Sequence, residues 1–307
     1  MRVLVVGGAG YLGSHVVRYL APQAKVTVYD NLLYRDEYLE QVDFVYGDVQ
    51  DVIRLNIQLK QSDVVLWLAA IVGDTACSTN PAVAHQVNVD ALERATDFFH
   101  GPLIFLSTAS VYGFYDGLAT EDTPFNPQSL YAETKVKAEA ALANRANTLI
   151  LRLATLHGPS PRMRFDLAVN VMTRDAVLNN SVTVHGGSQW RPLASVLDVA
   201  HFIYCNALKT PMLTGTYNVV SENVQIQHVA DTICSLTGAQ QNTIQTHVED
   251  RRDYHMSGDK LGNHYRPVIM VEDSVREIKC LIKEGRFKDP YASKYVNQKA
   301  LQGMYYG

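Results

Sequence analysis

Arg2-Val3-Leu4-Val5-Val6-Gly7-Gly8-Ala9-Gly10-Tyr11-Leu12-Gly13 opens the chain, and its reading decides the rest. The first residues form an apolar run with strand character, and residues 14–20 form an amphipathic segment of helical spacing. Strand, glycine turn and helix in that order leave backbone N–H groups at a helix N-terminus facing outward, where their partial positive charge suits a pyrophosphate. Glycine is needed because a side chain would block the approach. The spacing is Gly7-x-x-Gly10-x-x-Gly13, not the G-x-G-x-x-G of simple dehydrogenases, and a lone glycine-rich loop is also compatible with a plain tight turn. Its place between a strand and a helix at the start of the chain favours a dinucleotide site, with Gly7, Gly10, Tyr11, Leu12 and Gly13 as its contacts.

Working outward, the strand expected over 25–29 ends in Asp30-Asn31, about 20 residues beyond the glycines, where a carboxylate can accept both ribose hydroxyls of an adenosine. A carboxylate there repels a 2′-phosphate, which favours NAD over NADP, although Arg35 stands close by. The strand over 44–46 runs into Gly47-Asp48-Val49. Asp48 is placed to bond the adenine amino group or, equally, to cap the next helix. The strand over 63–68 delivers Leu68-Ala69-Ala70, small residues that let backbone pack against a dinucleotide. A helix follows over 81–99, interrupted by Asn88, an amide able to organise the strand ends around the cofactor.

The strand over 103–106 leads into Ser107-Thr108-Ala109-Ser110-Val111-Tyr112-Gly113, at the sheet edge where open α/β folds bind ligands. A threonine hydroxyl there is both donor and acceptor, so it can hold a substrate oxygen in alcohol and carbonyl form. Tyr131-Ala132-Glu133-Thr134-Lys135 follows. On a helix, residues i and i+4 share a face, so Lys135 sits beside Tyr131 and favours its phenolate. Taken alone, that spacing is as common on a solvated helix face; Thr108 and the glycine turn give it meaning.

Composition agrees with an ordinary globular protein: 307 residues, 47% hydrophobic, 19% charged, net charge −4. That balance gives no reason to expect nucleic acid or an acidic membrane as a partner. Cys77, Cys205, Cys234 and Cys280 are far apart without a C-x-x-C pair, against a zinc site or a disulfide framework, so no metal is expected. No apolar run approaches a membrane span, and a soluble cytoplasmic protein is expected.

The combined motifs resemble the extended short-chain dehydrogenase/reductase family of nucleotide-sugar epimerases, dehydratases, decarboxylases and dehydrogenases, most of them NAD-dependent. The resemblance runs from Met1 to about residue 285 and takes in Gly7-x-x-Gly10-x-x-Gly13, Asp30-Asn31, Gly47-Asp48-Val49, Leu68-Ala69-Ala70, Asn88-Val89, Thr108 before Tyr112-Gly113, and Tyr131-x-x-x-Lys135. It implies a Rossmann fold, a doubly wound parallel sheet with helices on both faces, and a smaller C-terminal α/β lobe. Residues 1–159 and 181–206 would bind NAD, with 160–180 and 207–307 as the nucleotide-sugar lobe. The catalytic set would be Thr108, Tyr131 and Lys135. Arg162, Asn170, Arg191 and Arg252 would contact the sugar nucleotide together with Thr108, Ala109 and Ser110. A homodimer through the helices over 82–99 and 130–146 is implied as well. Ala70-Ile71-Val72-Gly73-x-x-x-Cys77 and the segment from Ser160 to Asn170 resemble the subgroup of GDP-heptose 4-dehydrogenases. The tail over 287–307, rich in Tyr and Lys, carries no motif that assigns it a role.

The implied reaction is oxidation at C4 of a nucleotide sugar, Tyr131 taking the hydroxyl proton. A phenol pKa depressed by about two to three units would make it a usable base near neutrality. Family dehydratases carry Asp-Glu directly after the threonine, and decarboxylases a glutamate nearby; this chain has Ala109-Ser110. A 4-dehydrogenase is therefore expected, with a 4-epimerase as the alternative. A non-catalytic NAD(H)-binding regulator on the same fold is a third reading, opposed by the presence of all three catalytic residues.

Overall fold

The computed structural model describes residues 1–35, 38, 40–244 and 253–306. Strands β1 (Arg2–Val6), β2 (Lys25–Asp30), β3 (Asp43–Tyr46), β4 (Val64–Trp67), β5 (Leu103–Thr108), β6 (Thr148–Leu153) and β7 (Gly215–Val219) form one parallel sheet. Their order is β7-β6-β5-β4-β1-β2-β3. Along each strand, successive side chains enter different cores. Val3, Val5, Val28, Leu66 and Leu106 pack on one side, and Leu4, Val6, Tyr29, Trp67 and Phe105 on the other. Near-continuous apolar runs are what a sheet covered on both faces requires.

Helices α1 (Gly13–Leu20) and α8 (Val196–Ala207) cover the first side; α2 (Val52–Lys60), α5 (Ala91–Phe98) and α6 (Leu130–Leu142) cover the second. The chain leaves β1 outward to β2 and β3, then returns to place β4 on the other flank of β1. That reversal opens a crevice at the C-terminal strand ends. Among the described residues no helix is long and apolar enough to cross a membrane.

The single helix expected over 81–99 is instead α4 (Pro81–His85), a π turn (Gln86–Asp90) and α5. Asn88 sits inside the π turn, and its amide reaches Ile71 and Thr134, which explains the local widening. Two strands cross the expected division of the chain. Strand Ser181–His185 pairs with Gln240–Ile244 rather than with the main sheet, and β7, expected in the lobe, completes that sheet beside β6. The reason lies in its side chains: Tyr217 and Val219 enter the main core, and Asn218 accepts from the Tyr112 hydroxyl at 2.6 Å. From this geometry we propose two units. The main sheet with its helices is one. The other is a lobe whose own core is built by α7 (Ala168–Asn179), α9 (Ile226–Thr237) and α10 (Val271–Lys283).

A buried ion pair ties α6 to the sheet. Arg152 of β6 meets Glu139 of α6 at 2.8 Å, with both side chains nearly sealed from solvent. Ser107, next to Thr108, donates to the same carboxylate, and Arg152 also donates to the Tyr112 hydroxyl at 2.9 Å. Removing one partner of such a pair strands the other charge in the interior. Glu139→Ala should therefore lower the unfolding free energy by about 3–5 kcal/mol, seen as a lower urea midpoint. An unchanged midpoint would show that the pair is dispensable.

Candidate active site

The glycine turn is fixed by close backbone approach. Gly7 lies at φ +86°, and a Cβ there would stand 2.5 Å from the Ala69 nitrogen; at Gly13 it would stand 2.4 Å from the Gly7 carbonyl oxygen. At Gly10 it would meet only that oxygen, at 3.2 Å, so this position opens toward the cleft. The first turn of α1 thus presents N–H groups to a cradle free of side chains, which fits a pyrophosphate. Leu12 begins the helix. The Tyr11 hydroxyl donates to the Gly158 carbonyl at 2.5 Å and accepts from Asn170 Nδ2 at 3.1 Å.

Asp30 caps this cradle. One carboxylate oxygen accepts from the Ala9 amide at 2.9 Å and the other from Leu32 at 2.8 Å, leaving lone pairs for further donors. Burial pushes its pKa up, opposed by those bonds and by Arg35 and Arg162. Asp48 accepts from Asn31 Nδ2 at 3.0 Å and from the Gln50 amide at 2.9 Å. It does not cap α2: Asp51 does, through the Arg54 amide. Val49, Leu68, Ala69 and Ala70 line the same wall. Asn88 lies behind that wall, 1% exposed; its Oδ1 accepts from the Ile71 amide at 2.8 Å and its Nδ2 donates to the Ile71 carbonyl at 3.0 Å. From there it braces residue 71 at the strand end without lining the cleft itself.

Thr108 ends β5 and Tyr131 lies in the first turn of α6, close enough for their side chains to hydrogen-bond. Ser110 faces the cleft, its amide donating to Thr108 Oγ1 at 3.2 Å, whereas Ala109 is buried at 1% exposure behind it. The N-cap of α6 is Ser129, which accepts from the Ala132 amide and donates to Asp74 at 2.5 Å.

Lys135 lines the same cleft and is anchored to the sheet. Its ammonium donates to the Leu106 carbonyl at 2.7 Å and lies 4.7 Å from the centre of the Phe105 ring. Burial lowers its pKa to about 8, against the opposing influence of Cys77 and Glu139. Burial likewise pushes the Tyr131 phenol up, with Cys77 adding to the rise and Arg164 opposing it. An ammonium carries three donors, so the bond to the carbonyl at the end of β5 leaves two others.

Across the cleft the expected substrate contact Arg162 stands with Arg164 and Asp166, two residues that the sequence motifs left without a role. Arg164 pairs with Asp166 at 3.0 and 3.1 Å, and both line the cleft with Arg162. Arg162 is 4% exposed, lies over the Tyr34 ring at 4.2 Å and donates to Asn297 at 2.6 Å, while its Nε is buried without a partner among the described residues. Two guanidiniums beside one carboxylate leave a buried excess of positive charge, and burial lowers the Arg162 pKa to about 10. Arg191 also lines the cleft, held by the Trp190 carbonyl at 2.8 Å.

Asn170, expected at the sugar diphosphate, is wholly buried and committed inside the protein. It accepts from the Gly158 amide and donates to Tyr11 and to the Arg164 carbonyl. Arg252 lies outside the described residues. The whole cleft measures about 710 Å³ and runs unbroken from Asp48 to Arg191. Among the described residues no three His, Cys, Asp or Glu side chains converge as metal ligands.

A family model described as the NAD dependent epimerase/dehydratase family matches residues 3–219. The low-salt glycan biosynthesis protein Agl12 of Haloferax volcanii is 30% identical over 278 residues, 82% of this chain and 87% of that protein. A UDP-glucose 4-epimerase of Lactobacillus helveticus is 34% identical over 153 residues, so the match spans about half of that relative, 46% of its length and 47% of this chain. The crystal structure of a UDP-glucose 4-epimerase of Thermus thermophilus in complex with NAD superposes with a TM-score of 0.82 at 24% identity, covering 92% of this chain and 99% of that one. At that identity the likeness speaks for the fold.

The depressed Lys135 pKa has a thermodynamic consequence. Between pH 8 and 10.5 the unfolded chain holds the lysine proton that the folded protein has released, so stability rises with pH through that window. Relative to Lys135→Met, the wild type should gain about 1–3 kcal/mol across it in urea unfolding. A pH-independent difference would contradict the lowered pKa.

Proposed function

The chain belongs to the NAD dependent epimerase/dehydratase family, and from that premise we propose that it oxidises the C4 hydroxyl of a nucleotide-diphosphate sugar, with the 4-keto sugar as product. The observation that carries this reading is the Thr108–Tyr131 pair, set between the glycine cradle and the arginine cluster within one cleft. The cradle of Gly7, Gly10, Tyr11, Leu12 and Gly13, with Asp30, Asn31, Asp48, Val49, Leu68, Ala69 and Ala70, fits the cofactor. NAD, when bound, would supply the hydride acceptor for C4 and a positively charged ring.

The protein's part is positioning and proton transfer. Thr108 holds the reacting oxygen, donating to it as charge develops and accepting from it while it is an alcohol. Tyr131 receives the hydroxyl proton. Because burial pushes this phenol up, its ionisation depends on positive charge arriving with the bound ligands; Arg164 adds some across the cleft. Lys135 fixes the helix that carries Tyr131. Arg162 and Arg191 present forked donors suited to phosphate oxygens.

Ala109 and Ser110 place no carboxylate after Thr108, and Asp74, which also lines the cleft, accepts from Ser129. Dehydration is therefore disfavoured. One specific observation favours a second reading, 4-epimerisation: relatives in the curated set are named as UDP-glucose 4-epimerases. Both reactions share the same first step. The resemblance of residues 70–77 and 160–170 to the GDP-heptose 4-dehydrogenases supports oxidation with release. We further propose a homodimer through α4, α5 and α6; a monomeric mass in solution would count against it.

Tyr131→Phe should abolish turnover of nucleotide sugars while leaving NAD affinity intact. With the wild type, reduced cofactor accumulating in step with sugar consumed identifies the dehydrogenase, and C4 inversion without accumulation identifies the epimerase. Full turnover by Tyr131→Phe would refute Tyr131 as the base.

A further inference from the structure

The matched family segment ends at residue 219, yet the cleft wall continues into the last helix, α11 (Asn297–Tyr306). Aromatic contacts dock the chain leading to it: the Phe165 ring packs edge-on to Phe287 and Tyr295, the Phe165 amide donates to the Tyr295 carbonyl at 2.9 Å, and Tyr291 lies under Arg174 at 4.3 Å. Asn297 then makes three long-range bonds and is 3% exposed. Its Oδ1 accepts from Arg162 at 2.6 Å, its Nδ2 donates to the Val72 carbonyl at 3.1 Å, and its amide donates to Asp166 at 3.1 Å. One turn later Leu301, 1% exposed, packs with Ile71, Ala76, Cys77, Ala84 and Tyr131. Asn297 and Leu301 both line the cleft.

We propose that this C-terminal helix is part of the substrate pocket. Leu301, packed against Tyr131 and Ile71, backs the apolar wall that one face of the sugar meets, and Asn297 is a positioning residue that aims Arg162 at the diphosphate. The inference rests on the nucleotide-sugar reading above. An apolar wall beside the tyrosine selects a sugar whose facing surface carries C–H rather than O–H groups, since a hydroxyl buried there would lose its water without a partner. Asn297 acts differently. The Arg162 Nε has no partner of its own among the described residues, and the Asn297 bond and the Tyr34 ring set the direction of the guanidinium.

The test compares the wild type with Leu301→Ala, Leu301→Met and Asn297→Ala. It measures KM and kcat with nucleotide sugars, NAD affinity by fluorescence titration, and calorimetric binding of UDP and GDP without a sugar. Leu301→Ala should raise KM for the sugar nucleotide by about 10–100-fold. Leu301→Met should stay within about threefold of wild type. Neither should change NAD or nucleoside-diphosphate affinity. Asn297→Ala should weaken the nucleoside diphosphate that the wild type binds, again at constant NAD affinity. An unchanged KM in Leu301→Ala, a parallel loss of NAD affinity and melting temperature, or faster turnover, as an inhibitory strap would give, overturns the proposal. If the wild type turns over no nucleotide sugar, the functional reading fails first. Calorimetric binding of UDP- and GDP-sugars then decides the wall separately: weaker binding by Leu301→Ala supports it, and equal or absent binding overturns it.

Discussion

A buried ammonium bonded to the carbonyl at the end of a strand holds the site together. Lys135 donates to Leu106 at 2.7 Å, and that bond presses α6 onto β5. Two residues beyond Leu106 stands Thr108; one helical turn before Lys135 stands Tyr131. Desolvating the ammonium costs several kcal/mol, and the cost shows in the lowered Lys135 pKa. The Leu106 carbonyl, the Phe105 ring and the charge of Glu139 offset it. Replacing Lys135 by an apolar residue removes a position-setting bond as well as a charge.

Around this joint the cleft is divided by charge. At one end Asp30 and Asp48 suit the hydroxyls and amino group of an adenosine. At the other, Arg162, Arg164 and Arg191 suit phosphate. Between them the tyrosine lies among Ile71, Ala76, Cys77 and Leu301, in surroundings that disfavour its ionised form. Positive charge brought by a bound ligand favours the ionised form, which couples the tyrosine's chemistry to a loaded cleft.

The parts legible in the sequence are those written in local pattern. The apolar run over 2–6 is the central strand β1, and the glycine spacing, Asp30 and the Thr108, Tyr131, Lys135 set fall at the crevice, because a parallel sheet brings the C-terminal strand ends to one edge. What stayed hidden depends on distant partners. The helical periodicity through Asn88 gives no sign of a π turn that exists to let its amide reach residue 71. Asn170 matches a family asparagine, but Tyr11 and Gly158 claim its amide. Asn297 meets the Val72 carbonyl 225 residues away, a contact no periodicity announces. Spacing put Lys135 beside Tyr131 but gave no sign of the Leu106 carbonyl that anchors its ammonium.

Whether a C4–H bond breaks in this cleft is tested most directly with nucleotide sugars deuterated at C4, under single-turnover conditions so that product release does not mask the chemical step. Oxidation at C4 predicts a primary kinetic isotope effect on sugar conversion, for ketone release and epimerisation alike. Equal rates for protonated and deuterated sugar, with the sugar converted, would contradict it.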